Sequence, residues 1–342
     1  MNRNDLYNYM QDLVDNDVVI GMVLSIITKE SRELFFVGES QENHSTSIET
    51  IYDLASVSKD VGTTSAILKL LEEGHFQLDT KVKKILSDYK HESTIMDLLT
   101  HQSGLPADDK DYRNATSRDE YIAFLYNLEL VYPSNSQVLY SDFGFNLLGL
   151  IIEHYKGSIE DYLSDFLFKP LRMLSTTYVP SKLNQELIAP SEMHASRGLI
   201  KGQVMDGKAY LLDGLSGNAG LFSNINDLSN FALMLLNNGS LFNHRIFKEE
   251  TVELLKSSFT NGLNIQRTLG YGLKDPAFSQ GSLTSDQIIY HTGFSGPMLL
   301  IDFKKELAII NLCNRTYPSR DNVKILKERN VLIDNIIKYI ED

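Results

Sequence analysis

The chain of 342 residues has no tryptophan and a single cysteine, Cys313. A lone thiol closes no intramolecular disulfide and lacks the companions that a thiolate metal site requires. It stands in the apolar run 309–313 and reads as inert core. Histidine does not fill the gap, because the eight present are scattered, with no His-x-His, no HExxH and no close Cys/His pair. No metal site is expected. GxGxxG and GxxxxGK[ST] are also missing, and with them the phosphate-cradling loops of dinucleotide and P-loop chemistry, so no cofactor is expected. Positive charge is scarce: 32 Lys and Arg against 45 Asp and Glu leave a net charge of −13. That field repels a phosphate backbone or an anionic membrane surface, and nucleic acid is excluded as a partner. The surplus of acid reads as a solvated face. Long apolar runs are absent as well. The stretch 18–27 is about ten residues, too short for a bilayer, and Asp15 and Asp17 precede it where a signal peptide would be basic. A buried strand is the better reading, and no membrane segment is expected. The location implied is cytoplasmic as written, or secreted or at the cell surface if an export signal has been removed.

What is present is ordinary globular material, 42% apolar and 23% charged with only 8 Pro and 21 Gly, enough for one large domain or two sharing a core. Residues 5–15 place Leu6, Tyr9, Met10 and Leu13 at helical spacing, and 18–28 and 33–37 read as two strands joined by a polar turn. A helix is expected over 56–73, with Gly74 as its stop. Between 76 and 285 the periods are mainly helical: 96–100, 118–128, 142–154, 159–167, 226–237 and 248–256. Strand patterns return at 287–291, 298–302 and 307–312, and 323–340 is helical again. Strands at both ends with helices between suggest one sheet built from the two termini and faced by the terminal helices.

Nucleophilic catalysis is the chemistry left standing. Ser56-Val57-Ser58-Lys59 is an SxxK element at the start of a predicted helix, and i, i+3 spacing puts the hydroxyl and the amine on one face. Serine is a weak nucleophile until a neighbour takes its proton, and lysine does so only when burial or nearby positive charge lowers its pKa. The helix N-terminus also aims N–H groups at a developing oxyanion. The bland alternative is an N-cap and a solvated lysine, and Ser87 to Lys90 repeats the same spacing. Order along the chain favours the chemical reading. Tyr140-Ser141-Asp142 opens an apolar helix in mid-chain, and His291-Thr292-Gly293 ends an apolar strand near the terminus, as a serine acyl-transfer set requires. A tyrosine facing Ser56 and Lys59 would shuttle a proton to the leaving group, although a helix N-cap beside a core tyrosine, or an ordinary strand end, gives the same triplets. Gly293 would let substrate backbone approach the strand edge. His101 reads as a loop-holding histidine or a cleft-lining one, and Asn218 as a border of the cleft opposite Tyr140.

These motifs, with LLTHQSGLP at 98–106, FKPLRM at 168–173, AGLFS at 219–223 and NLCNRTYP at 311–318, make the chain resemble the serine β-lactamase and penicillin-binding-protein superfamily, in the branch of class C β-lactamases, D-alanyl carboxypeptidases and related esterases. The resemblance implies an α/β (α+β) fold of the β-lactamase/transpeptidase type. An antiparallel sheet from both termini, flanked by helices, would form one domain over 1–75 and 285–342, with a mainly helical region, 76–284, inserted and the site in the cleft. It makes Ser56 the acylated nucleophile, Lys59 its base partner and Tyr140 the proton shuttle, sets His291 at the place of the basic residue, and gives the oxyanion hole to the N–H groups of Ser56 and Phe294. Substrate contacts would come from Asp142, His291, Thr292, Gly293, Phe294, Asn218 and Ser319.

Three departures from the class C pattern touch recognition. Asp142 replaces an Asn that both donates and accepts, His291 replaces a Lys, and Ser319 and Asn322 stand where that class carries Asn and Arg facing a carboxylate. An unperturbed histidine would titrate near pH 6.5 and give a pH dependence near neutrality, while Arg315 or Arg320 could compensate for the lost charge. The expected activity is a serine hydrolase acting through an acyl-enzyme on D-alanyl peptides or esters, with at most weak β-lactamase activity. The alternative is a penicillin-binding receptor or scaffold that acylates without efficient turnover. Partners are then a small-molecule or peptidoglycan-derived substrate, and β-lactams as acylating ligands.

Overall fold

A computed structural model describes residues 1–341. Its main sheet has six antiparallel strands in the order Ile288–Thr292, Met298–Asp302, Leu307–Cys313, Gly21–Thr28, Arg32–Gln41 and His44–Ser45. The two chain ends meet at its centre, where Met22 lies opposite Cys313 and Thr28 opposite Leu307. Alternation along these central strands sorts their side chains between two cores. Met22, Leu24, Ile26, Ile309 and Cys313 face the terminal helices Arg3–Asp15 and Lys324–Glu341, packing on Leu6, Met10, Leu332, Ile333, Ile336 and Ile337. Val23, Ile27, Ala308, Ile310 and Leu312 face the other way, into the core shared with the helical region. Burial on both faces is why these strands read as continuous apolar runs.

The helical region follows the predicted periods closely, with helices at Ile95–Leu99, Arg118–Asn127, Asp142–Lys156, Ile159–Leu163, Ile225–Leu236 and Glu249–Leu254. The segment expected as one helix over 56–73 differs. It is a 3₁₀ turn, Ala55–Val57, then a π-type turn, Lys59–Thr64, and only then an α-helix, Ser65–Glu72, closed by Gly74 at φ +79°. Side chains tie the irregular part to the segment 217–221: Thr63 Oγ1 donates to Gly217 O at 2.6 Å, and Ser58 Oγ accepts from Leu221 N–H at 3.1 Å. Widened turns of this kind collect at functional sites. The short strands Ile51–Asp53 and Phe222–Asn224, paired with each other, have too few residues to show a period and were not expected.

Close backbone contact sets the floor of the site. A Cβ on Gly217 would lie 1.8 Å from Phe145 O, and one on Gly149 would lie 2.7 Å from Gly217 N. The helix Asp142–Lys156 therefore touches the 216–218 segment directly, and that contact positions the carbonyl of Asn218 beneath Lys59.

Candidate active site

Ser56 is half-buried on the 3₁₀ turn, and the residue before it, Ala55, is held at φ +45°. A left-handed alanine costs about 1–3 kcal/mol and persists only where its surroundings impose it. They do so here. Asp53 Oδ1 accepts from Ala55 N–H at 2.8 Å and Oδ2 from Met205 N–H at 2.9 Å, while Ser295 Oγ donates to Asp53 O at 2.9 Å. Burial pushes the Asp53 carboxyl up to about 6, against the pull of those two backbone donors. Gly293 closes the arrangement, since a Cβ there would lie 2.5 Å from Leu54 O. Its bareness serves the docking of the strand end against the nucleophile turn, where the sequence suggested approach of substrate backbone. Phe294 follows, half-exposed, with no hydrogen bond from its N–H to any described residue.

Lys59 is fully buried. Its ammonium donates to Ser56 Oγ at 3.0 Å and to Asn218 O at 2.8 Å, and it is ion-paired with Asp142 Oδ1 at 2.8 Å. Burial alone would lower its pKa, but the charge of Asp142 and the Tyr140 phenol beside it outweigh burial and hold it above the ordinary lysine value. The condition under which a lysine takes a serine's proton, a lowered pKa, is opposed here by Asp142, which favours the ammonium form. Asp142 is balanced by a second cation, with Lys208 Nζ 3.1 Å from Oδ2. Burial works against its ionisation, yet Lys59 and Lys208 hold its pKa below the ordinary carboxylate value. Both its oxygens thus face lysines, which leaves the carboxylate engaged by protein where a substrate acceptor was anticipated.

Tyr140 points inward. The Lys59 ammonium lies 5.0 Å from its ring centre, and Lys59 and Ser56 pull the pKa of its hydroxyl down, although burial and Asp142 still keep it raised. The residue as a whole is 36% exposed. His101 supports the other face, with ring centres 4.4 Å apart, and clasps the same segment twice: its O accepts from Leu139 N–H at 2.9 Å and its Nδ1 from Ser141 N–H at 3.1 Å. Of the two readings left open for His101, loop-holding is the one its contacts describe.

His291 lies 5.8 Å from the Tyr140 ring and is buried, its Nδ1 3.0 Å from Thr292 O, a contact a neutral imidazole makes by donating. Burial first, then Arg267 and Lys59, hold its pKa well below 6.5. A neutral-range titration of an unperturbed histidine is therefore corrected to a group that stays uncharged through neutrality. Thr292 takes part through that carbonyl. Asn218 contributes its main chain, while its side chain is turned into a buried network, accepting from Ser216 Oγ at 2.7 Å and donating to Asp206 Oδ1 at 3.0 Å. Ser319 stands apart from these groups, exposed and bonded to Asp321 within its own turn at 3.3 Å. Arg315 is buried, donating to the carbonyls of Arg320 and Asn322 at 3.2 and 2.7 Å and lying 4.4 Å from the Phe294 ring centre. Arg320 is held by Glu192 through two contacts of 2.5 and 2.7 Å. Arg315 is thus committed to main-chain carbonyls and Arg320 to an ion pair with Glu192.

Sequence reading missed three groups. Lys208 pairs with Asp142. Arg267 is buried with its guanidinium 5.9 Å from the Tyr140 ring centre, and donates to Gly270 O at 2.7 Å. Asp60 is fully buried, its Oδ2 3.7 Å from His291 Nδ1, with no hydrogen bond to either oxygen, and burial drives its pKa well upward. Only Asp60 left a trace in the sequence, as an acid next to the SxxK lysine. No group of His, Cys, Asp and Glu able to hold a metal occurs among the described residues. A concave space of about 610 Å³, lined by Tyr178, Val204, Tyr210 and Phe222 among others, includes none of Ser56, Lys59 and Tyr140. The polar constellation locates the site.

Comparison with known proteins agrees with this geometry. Over 305 residues the chain is 31% identical to a "Putative D-alanyl-D-alanine carboxypeptidase" of Escherichia coli O157:H7, covering 78% of this chain and 70% of that protein. It is 30% identical over 304 residues to an "N-acetylmuramyl-L-alanine amidase" of Bacillus subtilis (strain 168), covering 78% and 68%. Among solved structures, EstCE1, "a hydrolase with promiscuous acyltransferase activity", superposes with a TM-score of 0.77 at 17% identity over 96% of this chain and 98% of that one. The octameric penicillin-binding protein homologue from Pyrococcus abyssi gives 0.76 at 22% identity over 98% and 78%. The family model described as Beta-lactamase matches residues 6–332, and with the Ser56–Lys59–Tyr140 constellation on a two-ended antiparallel sheet, the chain belongs to the Beta-lactamase family of serine hydrolases.

Proposed function

We propose that the protein hydrolyses D-alanyl esters or peptides, small or peptidoglycan-derived, through an acyl-enzyme on Ser56. The observation that carries this reading is the buried Lys59 ammonium 3.0 Å from Ser56 Oγ, with the Tyr140 hydroxyl alongside. In acylation, Ser56 Oγ bonds to the acyl carbon, the bond to the leaving group breaks, and the serine proton passes through Lys59 and Tyr140 to the departing oxygen or nitrogen. Water repeats the sequence in reverse and releases the acid. The N–H groups of Ser56 and Phe294 would receive the oxyanion, a contribution that does not depend on their side chains. The names of the relatives support D-alanyl or muropeptide chemistry, and one structural neighbour, described as a hydrolase with promiscuous acyltransferase activity, is in keeping with acyl transfer.

Charge decides between substrates. His291 is neutral, Arg267 is buried and donates to Gly270 O, Arg315 and Arg320 are bonded to protein, and Lys208 serves Asp142. A donor that presents a free carboxylate finds no unengaged cation among these groups, so β-lactam hydrolysis should be weak. Steady-state assays of nitrocefin against short-chain p-nitrophenyl esters and D-alanyl esters test this: kcat/KM for the esters should exceed that for nitrocefin by about tenfold or more, the worth of one charge-assisted hydrogen bond. Efficient nitrocefin turnover with inert esters would overturn it. The second reading, a penicillin-binding receptor, draws on the same lysine, because an ammonium held by Asp142 is a poor base for deacylation. Intact mass after incubation with a D-alanyl ester separates the two, a lasting acyl adduct favouring the receptor and release of the free acid the hydrolase.

A further inference from the structure

We propose that Asp142 acts through Lys59 as a charge lock on the nucleophile, with Lys208 as its counterweight, so that Ser56 attacks only once the pH is high enough to take a proton from the Ser56–Lys59–Tyr140 set. The inference rests on the acyl-enzyme reading and adds to it what sets the working pH.

The geometry supplies the lock. An ammonium has three protons, and Lys59, which has no exposure of its own, donates to Ser56 Oγ and Asn218 O at 3.0 and 2.8 Å and is ion-paired with Asp142 Oδ1 at 2.8 Å. To act as a base the amine must present a lone pair to Ser56, which gives up one of these contacts and leaves Asp142 as an uncompensated buried anion toward Lys59. A carboxylate at this distance favours the charged form of its partner by about one to three pH units. Lys208 Nζ, 3.1 Å from the other oxygen of Asp142, pulls in the opposite sense by sharing the carboxylate and by adding a like charge near Lys59.

The other groups facing Lys59 keep their charge while this happens. Arg267 remains a cation. His101 and His291, held neutral by burial and by Arg267, do not titrate near or above neutrality. Asp60, on the helix of Lys59 itself, is the remaining candidate, since both its oxygens lack partners and its ionisation is opposed by burial. Asp206 reaches the site through Asn218 and lies on the Lys208 side, as does Asp108, whose Oδ1 is 3.6 Å from Lys208 Nζ. Tyr140 is coupled to Lys59, so the limb observed belongs to the pair and is named as such.

The test uses the rate at which a fluorophosphonate labels Ser56 in the full chain, read by intact mass as a function of pH. That rate requires no knowledge of the natural substrate. D142N removes the anion and should move the acid limb of the profile to lower pH by about one to three units. K208M removes the counterweight and should move it to higher pH. Opposite displacements cannot come from loosened packing, which would lower both amplitudes and leave the limb in place. D60N, close to isosteric with a protonated Asp60, should leave the limb where it is. Coincident limbs in the wild type, D142N and K208M would overturn the inference while leaving the acyl-enzyme intact, and so would a limb lost in D60N. If D142N does not fold, K208M alone decides by the sign of its displacement. No labelling of the wild type at any pH would overturn the acyl-enzyme reading itself, and this inference with it.

Discussion

His291 and His101 are imidazoles that the fold keeps uncharged, and each is a stability statement as well as a site feature. In the unfolded chain a histidine takes a proton near pH 6.5. In the folded protein, burial and then Arg267 push both well below that value. Their neutral forms therefore contribute stability that is complete above pH 6.5 and is lost as the pH falls, because the unfolded state binds the protons first. Each should add up to about 1.4 kcal/mol per pH unit to the slope of unfolding free energy between roughly pH 6 and 5. His291→Gln should flatten that slope by close to one proton, measured by urea unfolding at several pH values. An unchanged slope would mean that His291 is protonated in the folded state and available to an anionic substrate after all. The residue type at 291 was legible in the sequence, but its charge was not, because the groups that set it, Arg267 and Lys59, lie 24 and more positions away.

At the scale of elements, what the sequence made plain were the long pieces: helices with a 3.6 period and strands buried on both faces. Less visible were contacts made by backbone on backbone. Ser56, Lys59 and Tyr140 announced themselves through spacing and order, yet the geometry that joins them depends on Gly217 and Gly149, which allow the helix Asp142–Lys156 to lie on the 216–218 segment. A glycine in a loop carries no signal of what it touches. Gly217→Ala puts a Cβ 1.8 Å from Phe145 O and 2.8 Å from Gly149 N, both backbone atoms that cannot swing aside. The expected result is a loss of about 1–3 kcal/mol from overpacking, together with slower fluorophosphonate labelling as Asn218 O moves from Lys59. A variant with the melting temperature and labelling rate of the wild type would show that this contact does not position the lysine. The irregular turn from Ala55 to Thr64 was hidden for a related reason. Its ties to 217–221 are made between residues more than 150 positions apart, and a local pattern reads such a segment as plain helix.

For the whole molecule, the meeting of the two chain ends at the centre of the sheet makes the terminal helices part of the fold and not appendages to it. Lys324–Glu341 lays Ile325, Leu332, Ile333, Ile336 and Ile337, all fully buried, on the face that also receives Leu6, Met10 and Leu13. At about 1.5–3 kcal/mol for each large aliphatic side chain, these five contribute roughly 7–15 kcal/mol, as large as the entire net stability of a typical domain at about 5–15 kcal/mol. The helix also reaches the loop that packs on the catalytic turn, with Arg329 donating to Gly296 O at 3.2 Å, and the two share the sheet, since the strand Ile288–Thr292 carries His291 and leads into Gly293 and Phe294. Ending the chain at residue 323 should therefore abolish the site together with the fold. Circular dichroism should show no cooperative thermal transition, and Ser56 should no longer be labelled at any pH. A truncated protein that still melts cooperatively and still labels would place the stability of the site in the helical region alone, and would refute the view that both termini hold the nucleophile turn in place through one sheet.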